Sequence, residues 1–485
     1  MISFFRGSAA ALLALAAAAL HAQEQINLDL PQIGEPADTS LSPSEERALG
    51  AEIVSQFYNY GYVLEDPEIE HYVVTLMQRI NSGNEAPIPI TIFAVKDDRI
   101  NAFALPGGFI GVNAGTIVSS HTESELASVL SHELAHVTQR HIARSANSGT
   151  VATIATWAAV IGAIIAGSAD PDVVLAAVSA GQAANYQRQV NYTRSHELEA
   201  DRLGIRTMAA AGFDPEGMAS FFTRLEQQSR LYGNGIPEFL RTHPVNTTRI
   251  SEARSRISGL AKRKITESAD FPFVRARAHA LAADSPGDAV EYFSSQRPMT
   301  AATRYGLALS YVRLGDYARA QSSLAPALAE QPRQLQVMLL SAKIQMGQSQ
   351  FQSGLAQYRK ALEIYPRSAP TILEYANALI DAGKPEDARK LLLSRDITTV
   401  SKADVYRLLS QAARELNQVT EAQFQTANFL VERGDSGGAL AALDVALRNA
   451  GLSDAERARL KARRDEIRAL LPKDWKPKRE RDAAR

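Results

Sequence analysis

Not one of the 485 residues is cysteine. That excludes disulfides, thiolate metal sites, a cysteine nucleophile and the residue through which a bacterial lipoprotein is anchored. Any metal must then be held by histidine and carboxylate. Charge of one sign is also missing: 52 basic residues face 53 acidic ones, for a net charge of −1. No nucleic-acid partner is expected from such a balance. The N-terminal apolar run from Ala9 to Leu20 is too short to cross a bilayer. With Arg6 ahead of it and the small Ala22 behind, residues 1–22 read as a signal peptide cleaved near Ala22, and the mature protein as exported and soluble. An uncleaved N-terminal anchor is the alternative.

What is present is Ser131-His132-Glu133-Leu134-Ala135-His136, an H-E-x-x-H motif in a stretch, Glu123 to Arg144, that reads as one helix. Residues four apart share a helical face, so His132 and His136 can aim their imidazoles at one point. Two imidazoles suit zinc, which takes nitrogen or carboxylate ligands at about 2.0–2.2 Å and, in catalytic sites, leaves the fourth position to water. Glu133 sits roughly 100° round the same turn, within reach of that water as a general base. A solvated helix that happens to carry two histidines is the bland alternative.

A third ligand belongs on a second helix. In Ser195-His196-Glu197-Leu198-Glu199-Ala200-Asp201-Arg202, Glu197 and Asp201 lie four apart on one face. Glu197 is expected to ligate, and Asp201 to accept a hydrogen bond from a ligand histidine and orient it. His196 and Glu199 project from other faces and are poorer candidates. His243, before Pro244, is held in a loop. It can be a fourth ligand that excludes water, or a stabiliser of the oxyanion. His21, His71, His121, His141 and His279 lack a comparable context and read as non-catalytic.

Length suggests about three units. Residues 23–40 read as an extended leader and 41–265 as the metal-binding domain. Within that domain Ser42-Pro43 and Asp66-Pro67 each start a helix. Strands are expected over Ile88–Val95, Asn101–Leu105 and Phe109–Asn113, the last two joined by Pro106-Gly107-Gly108. An edge strand beside the site can pair with an extended substrate; an internal meander strand is the equal alternative. The apolar segments Thr150–Gly167 and Val173–Tyr186 are expected to form a buried or lid-like helical hairpin, with membrane-surface contact through 150–167 as the other possibility.

From residue 270 a period of 34 appears. Leu307, Ala308, Tyr311, Ala320, Leu324, Ala327 and Pro332 recur as Ala342, Gly354, Tyr358, Ala361 and Pro366, then Ala376 and Ala388. The turns Gly315-Asp316, Gly347-Gln348 and Gly383-Lys384 keep step, which predicts a tetratricopeptide solenoid over 270–471 and a concave surface for a protein partner. Residues 472–485 form a basic tail.

Together His132-Glu133-Leu134-Ala135-His136, Glu197-Leu198-Glu199-Ala200-Asp201 and Asn101-Ala102-Phe103-Ala104-Leu105-Pro106-Gly107-Gly108 resemble the HtpX-type family of gluzincin metallopeptidases. The resemblance implies an α+β zincin-like metallopeptidase domain, mostly helical with a small sheet, followed here by an all-α tetratricopeptide-repeat solenoid. It implies one Zn2+ per chain, held by His132, His136 and Glu197, with Glu133 activating water. His243 matches a loop histidine that can act as a self-inhibiting fourth ligand. His196 stands where the family often has Asn. Similarity to the exported members with C-terminal repeats implies a periplasmic endopeptidase that degrades misfolded or misassembled outer-membrane proteins and assists their assembly. Its partners would be unfolded or stalled outer-membrane proteins and the outer-membrane β-barrel assembly machinery. The alternative function is a chaperone or assembly scaffold with a largely self-inhibited zinc site.

Overall fold

The structure is a computed structural model that describes residues 42–146, 183–232, 238–261, 265, 267–395, 397–469 and 471. The expected signal peptide, leader and basic tail lie outside the described residues, as does almost all of the expected 150–186 hairpin. Among the described residues no helix is long and apolar enough to cross a membrane.

Helix α1 (Pro43–Asn59) begins at a capping box in which Ser42 and Glu45 satisfy each other's backbone amides. Asp66 caps α2 (Pro67–Ser82) by accepting from the Ile69 amide. Three strands follow: β1 (Thr91–Val95), β2 (Ala102–Leu105) and β3 (Phe109–Asn113), in the spatial order β1-β3-β2. β1 runs parallel to β3, pairing Thr91 with Phe109 through Val95 with Asn113. β2 runs antiparallel to β3, pairing Ala102 with Val112 through Leu105 with Phe109. Gly107 and Gly108 turn the hairpin at φ values of 73° and 85°, and a Cβ on Gly107 would stand 2.3 Å from the Cα of Arg47. β2 is therefore an edge strand, as one of the two expected arrangements required.

A short α3 (Ala114–Ser119) leads into α4 (Glu123–Thr138), where Thr122 accepts from the Glu125 amide as N-cap. All of Glu123 to Ala135 is buried. Its Leu126, Leu130 and Leu134 join Ile69, Val73, Ile110, Val112, Ile205 and Phe221 in one apolar core. Each such side chain contributes about 1.5–3 kcal/mol by leaving water. The single helix expected over Glu123–Arg144 is corrected: α4 stops at Thr138, Arg140 takes a left-handed φ of 48°, and α5 (His141–Ala146) restarts in a new direction. The Arg140 guanidinium closes the corner by pairing with Glu46 of α1 at 2.6 Å. The peptidase unit is completed by α6 (Ala183–Ala210), α7 (Glu216–Tyr232), α8 (Glu238–Thr242) and α9 (Thr247–Ser258).

Twelve further helices run from α10 (Phe271–Ala282) to α21 (Asp454–Ala469). The small residues on the 34-residue period, Ala308, Ala320, Ala342, Ala361, Ala376 and Ala388, are fully buried where paired helices cross. Left-handed turn residues recur every 34 positions at Gly315, Ser349, Gly383 and Asn417, and Gly434 adds one off that period. The middle turn thus keeps phase through Ser349 rather than the expected Gly347, and the period extends one repeat further than the glycines alone indicate.

The break expected near 265–270 is bridged by α10. One face of it, Phe271, Val274 and Ala278, belongs to the peptidase core, and the other, Phe273, Ala276 and Ala280, to the first repeat core. Later repeats return to the peptidase unit: His71 Nδ1 lies 2.7 Å from Thr399 Oγ1, the Ser401 amide donates to Glu70 at 2.7 Å, and Ser55 Oγ donates to the Arg433 carbonyl at 2.8 Å. Between the units lies a cleft of about 780 Å³ lined by Tyr58, Gln78, Ile90, Thr91, Val400 and Lys402, and by none of the expected metal-site residues.

Candidate metal centre

His132 and His136 leave α4 on the same side, as the four-residue spacing requires, and their Nε2 atoms stand 3.0 Å apart. From α6, Glu197 brings Oε2 to 3.4 Å from His132 Nε2 and Oε1 to 3.4 Å from His136 Nε2. His243 follows α8, and its Nδ1 lies 2.9 Å from Glu197 Oε1 and 3.3 Å from His132 Nε2. One ligand atom from each of these four residues falls within 4.8 Å of all the others. Ligands about 2.1 Å from a tetrahedral cation stand about 3.4 Å apart, so the set fits a small divalent ion. Three imidazoles and a carboxylate suit a divalent first-row metal, zinc among them.

The His243 loop is positioned from both sides. The Phe239 amide donates to the Ile100 carbonyl at 3.0 Å, next to β2, and the Phe239 ring stacks on His243 at 4.9 Å.

Glu133 is buried beside the cluster, with Oε1 3.5 Å from His243 Nε2. Among the described residues neither of its oxygens has a well-formed hydrogen bond, although the Ala104 amide of β2 points toward it. Burial raises the Glu133 carboxyl above its usual range, against the pull of His243 and His132. A buried carboxyl beside this cluster of candidate ligands is placed to act as a general base. The free edge of β2 faces the same way. The Asn113 amide donates to the Asn101 carbonyl, so alternation turns the backbone groups of Ala102 and Ala104 away from β3.

Burial works to lower His132, but Glu197 and Asp201 outweigh it and hold the imidazole up to about 10. Burial pushes His136 down to about 3. For Glu197, burial acts upward, and the neighbouring histidines prevail, holding it well below the carboxylate range.

Asp201 takes the place expected of it, with Oδ1 3.0 Å from His132 Nδ1. A residue assigned no role in the sequence analysis completes the arrangement. Arg249 of α9 donates to both Asp201 oxygens at 2.7 Å, pairs with Glu197 Oε2 at 2.8 Å and donates to the Pro244 carbonyl at 2.9 Å. One buried guanidinium therefore ties together Glu197, the carboxylate behind His132, and the His243 loop. Its only sequence signal is its place shortly after His243-Pro244. His196 and Glu199 stand apart from the four ligands, as expected. His141, read as non-catalytic, does not: its Nδ1 lies 2.8 Å from Nδ1 of His136.

The sequence profile of peptidase family M48 matches residues 64–257, and tetratricopeptide-repeat profiles match 305–369 and 345–396. The β-barrel assembly-enhancing protease of Escherichia coli K12 is 30% identical over 91% of this chain and 91% of its own. A putative β-barrel assembly-enhancing protease of Vibrio cholerae is 38% identical over 68% of this chain and 70% of its own. The mitochondrial metalloendopeptidase OMA1 of Schizosaccharomyces pombe is 29% identical over 37% of this chain and 50% of its own. With one relative 30% identical over 91% of the chain, the chain belongs to peptidase family M48, as a metallopeptidase with C-terminal tetratricopeptide repeats.

Proposed function

We propose that the chain is an exported, periplasmic zinc endopeptidase that degrades misfolded or misassembled outer-membrane proteins and assists their assembly. The observation that carries the chemistry is the convergence of His132, His136 and Glu197 beside the buried Glu133. The cellular role rests on the names borne by the full-length relatives. Bound by these three residues, zinc supplies the Lewis acidity that makes water a nucleophile near neutral pH and polarises a scissile carbonyl.

The chain's own residues do the rest. An unfolded segment adds to the free edge of β2 through the backbone groups of Ala102 and Ala104, which asks little of its sequence. Glu133 takes the proton of the attacking water and delivers it to the leaving amine. Asp201 holds the Nδ1 proton of His132, keeping Nε2 free to ligate. The repeats and the cleft beside them hold the substrate or the outer-membrane β-barrel assembly machinery.

His243 within ligand distance favours a second reading, a chaperone or scaffold whose site stays closed. Incubating the purified mature chain and its Glu133→Gln variant with an unfolded outer-membrane β-barrel protein, with zinc determined in both, separates the readings. Cleavage by the parent and none by a zinc-loaded Glu133→Gln supports the hydrolase. Equal cleavage by both removes Glu133 as the base. No cleavage by a zinc-loaded parent that still suppresses aggregation favours the scaffold.

A further inference from the structure

We propose that His141 is a positioning residue for the metal ligand His136, acting as the middle link of a hydrogen-bond chain that runs from the buried imidazoles out to the half-buried Glu199 and Arg144. The inference rests on His136 being a ligand through Nε2.

The fold makes a specific effort to bring His141 there. A continuous helix would carry residue 141 about 500° round from residue 136, off the face that His136 presents. The left-handed Arg140, held by Glu46, breaks the helix one residue before His141, and the side chains of α5 then meet those of α6. The buried His141 ring then stacks on buried His196 of α6, with planes 8° apart and centroids 4.1 Å apart. Its Nδ1 meets His136 Nδ1 at 2.8 Å and its Nε2 meets Glu199 Oε2 at 3.2 Å. Arg144, one turn along α5, reaches the same Glu199 oxygen at 3.3 Å.

Chemistry fixes the direction of this chain. A ligating His136 Nε2 must offer a lone pair, so in the neutral ring the proton sits on Nδ1 and is donated to His141. His141 therefore accepts at Nδ1, carries its own proton on Nε2 and donates it to Glu199, a carboxylate that can only accept. Arg144 can only donate, and it closes the chain at Glu199. Each link admits one tautomer, so the chain selects the ligating form of His136 and fixes its ring plane. For His132, Asp201 does the same directly; His136 does it through a second imidazole. Partners of this kind are worth about 10–100-fold in metal affinity.

The test compares the parent, His141→Leu and His141→Asn as full mature chains, all carrying Glu133→Gln to prevent self-cleavage. Asn places Oδ1 near the position of Nδ1 and can still accept from His136; Leu cannot. Zinc dissociation constants are measured by chelator competition, and the visible spectrum of each cobalt(II)-loaded protein reports the ligand field. We expect His141→Leu to bind zinc about 10–100-fold more weakly with an altered spectrum, and His141→Asn to stay within a few-fold of the parent with its spectrum kept. Zinc binding in the Leu variant equal to that of the parent overturns the proposal. So does an equal loss in both variants, which marks a packing role for the ring. A parent that binds no zinc fails the metal reading itself, a different outcome from either.

Discussion

Arg277 donates two hydrogen bonds, each of 2.7 Å, to the two carboxylate oxygens of Asp66. Asp66 is the N-cap of α2 in the peptidase unit, and Arg277 belongs to α10, the helix shared with the repeats. The same guanidinium pairs with Glu68 at 2.6 Å and donates to Tyr305 of the first repeat at 2.7 Å. All four side chains are buried, so the cation is the hinge pin between the units. Arg277→Leu removes the cation from two buried acidic side chains, and such a loss costs about 3–5 kcal/mol. Lysine cannot reproduce the planar fork, so Arg277→Lys is expected to recover little. Urea unfolding followed by circular dichroism checks this. The expected result is a lower midpoint in both variants, with the single transition splitting as the units uncouple.

A second junction contact titrates. Burial, with the charge of Asp404 adding to it, pushes the Glu70 carboxyl up to about 8. The ordinary value applies in the unfolded chain, so the folded state binds this proton more tightly. Its contribution is fully present below about pH 4.5 and is lost as pH rises through about 8. Glu70→Gln retains an acceptor for the Ser401 amide and removes the titration. Melting temperatures measured between pH 5 and 9 are expected to fall less steeply in the variant, which should be the more stable protein at pH 9.

What the sequence made legible follows from helix geometry. The four-residue spacings of His132 with His136 and of Glu197 with Asp201 dictate shared faces whatever surrounds them, and the recurrent alanines need only a period. What escaped it depends on tertiary packing. Nothing in Gln139-Arg140 advertises a left-handed residue, since arginine has no intrinsic preference for that region; the corner exists because Glu46 waits on α1. Arg249 looks like any charged residue of an exposed helix until Asp201 and Glu197 are brought over it. Likewise, the two apolar faces of α10 cannot be assigned to two cores from a single amphipathic pattern.

Arg249 supplies a third prediction. Asp201→Asn preserves shape and weakens the hold on the His132 Nδ1 proton, so zinc affinity is expected to fall by about tenfold with the fold intact. Arg249→Leu goes further, because it strands Glu197 and Asp201 together in the interior. Removal of one partner from a buried ionic group costs about 3–5 kcal/mol, so this variant is expected to melt lower as well as to lose zinc. Zinc content and thermal melting, measured on the same preparations, distinguish the two effects. Equal melting of both variants would contradict the bridging role.

His243 carries the last prediction. Its Nδ1 lies among the ligand atoms, while its Nε2 approaches Glu133 at 3.5 Å. A fourth protein ligand closes the position that a catalytic zinc keeps for water. His243→Ala opens that position without touching His132, His136 or Glu197. Cleavage of an unfolded outer-membrane β-barrel protein is therefore expected to be severalfold faster in His243→Ala, while zinc is held more weakly. The opposite role has an opposite signature. A donor to the developing oxyanion contributes about 10²–10³ in turnover, so its loss would nearly abolish cleavage and leave zinc binding untouched. Rates and zinc dissociation constants for the parent and His243→Ala therefore separate gate from catalyst. The combination expected of the gate is a faster rate together with weaker zinc binding.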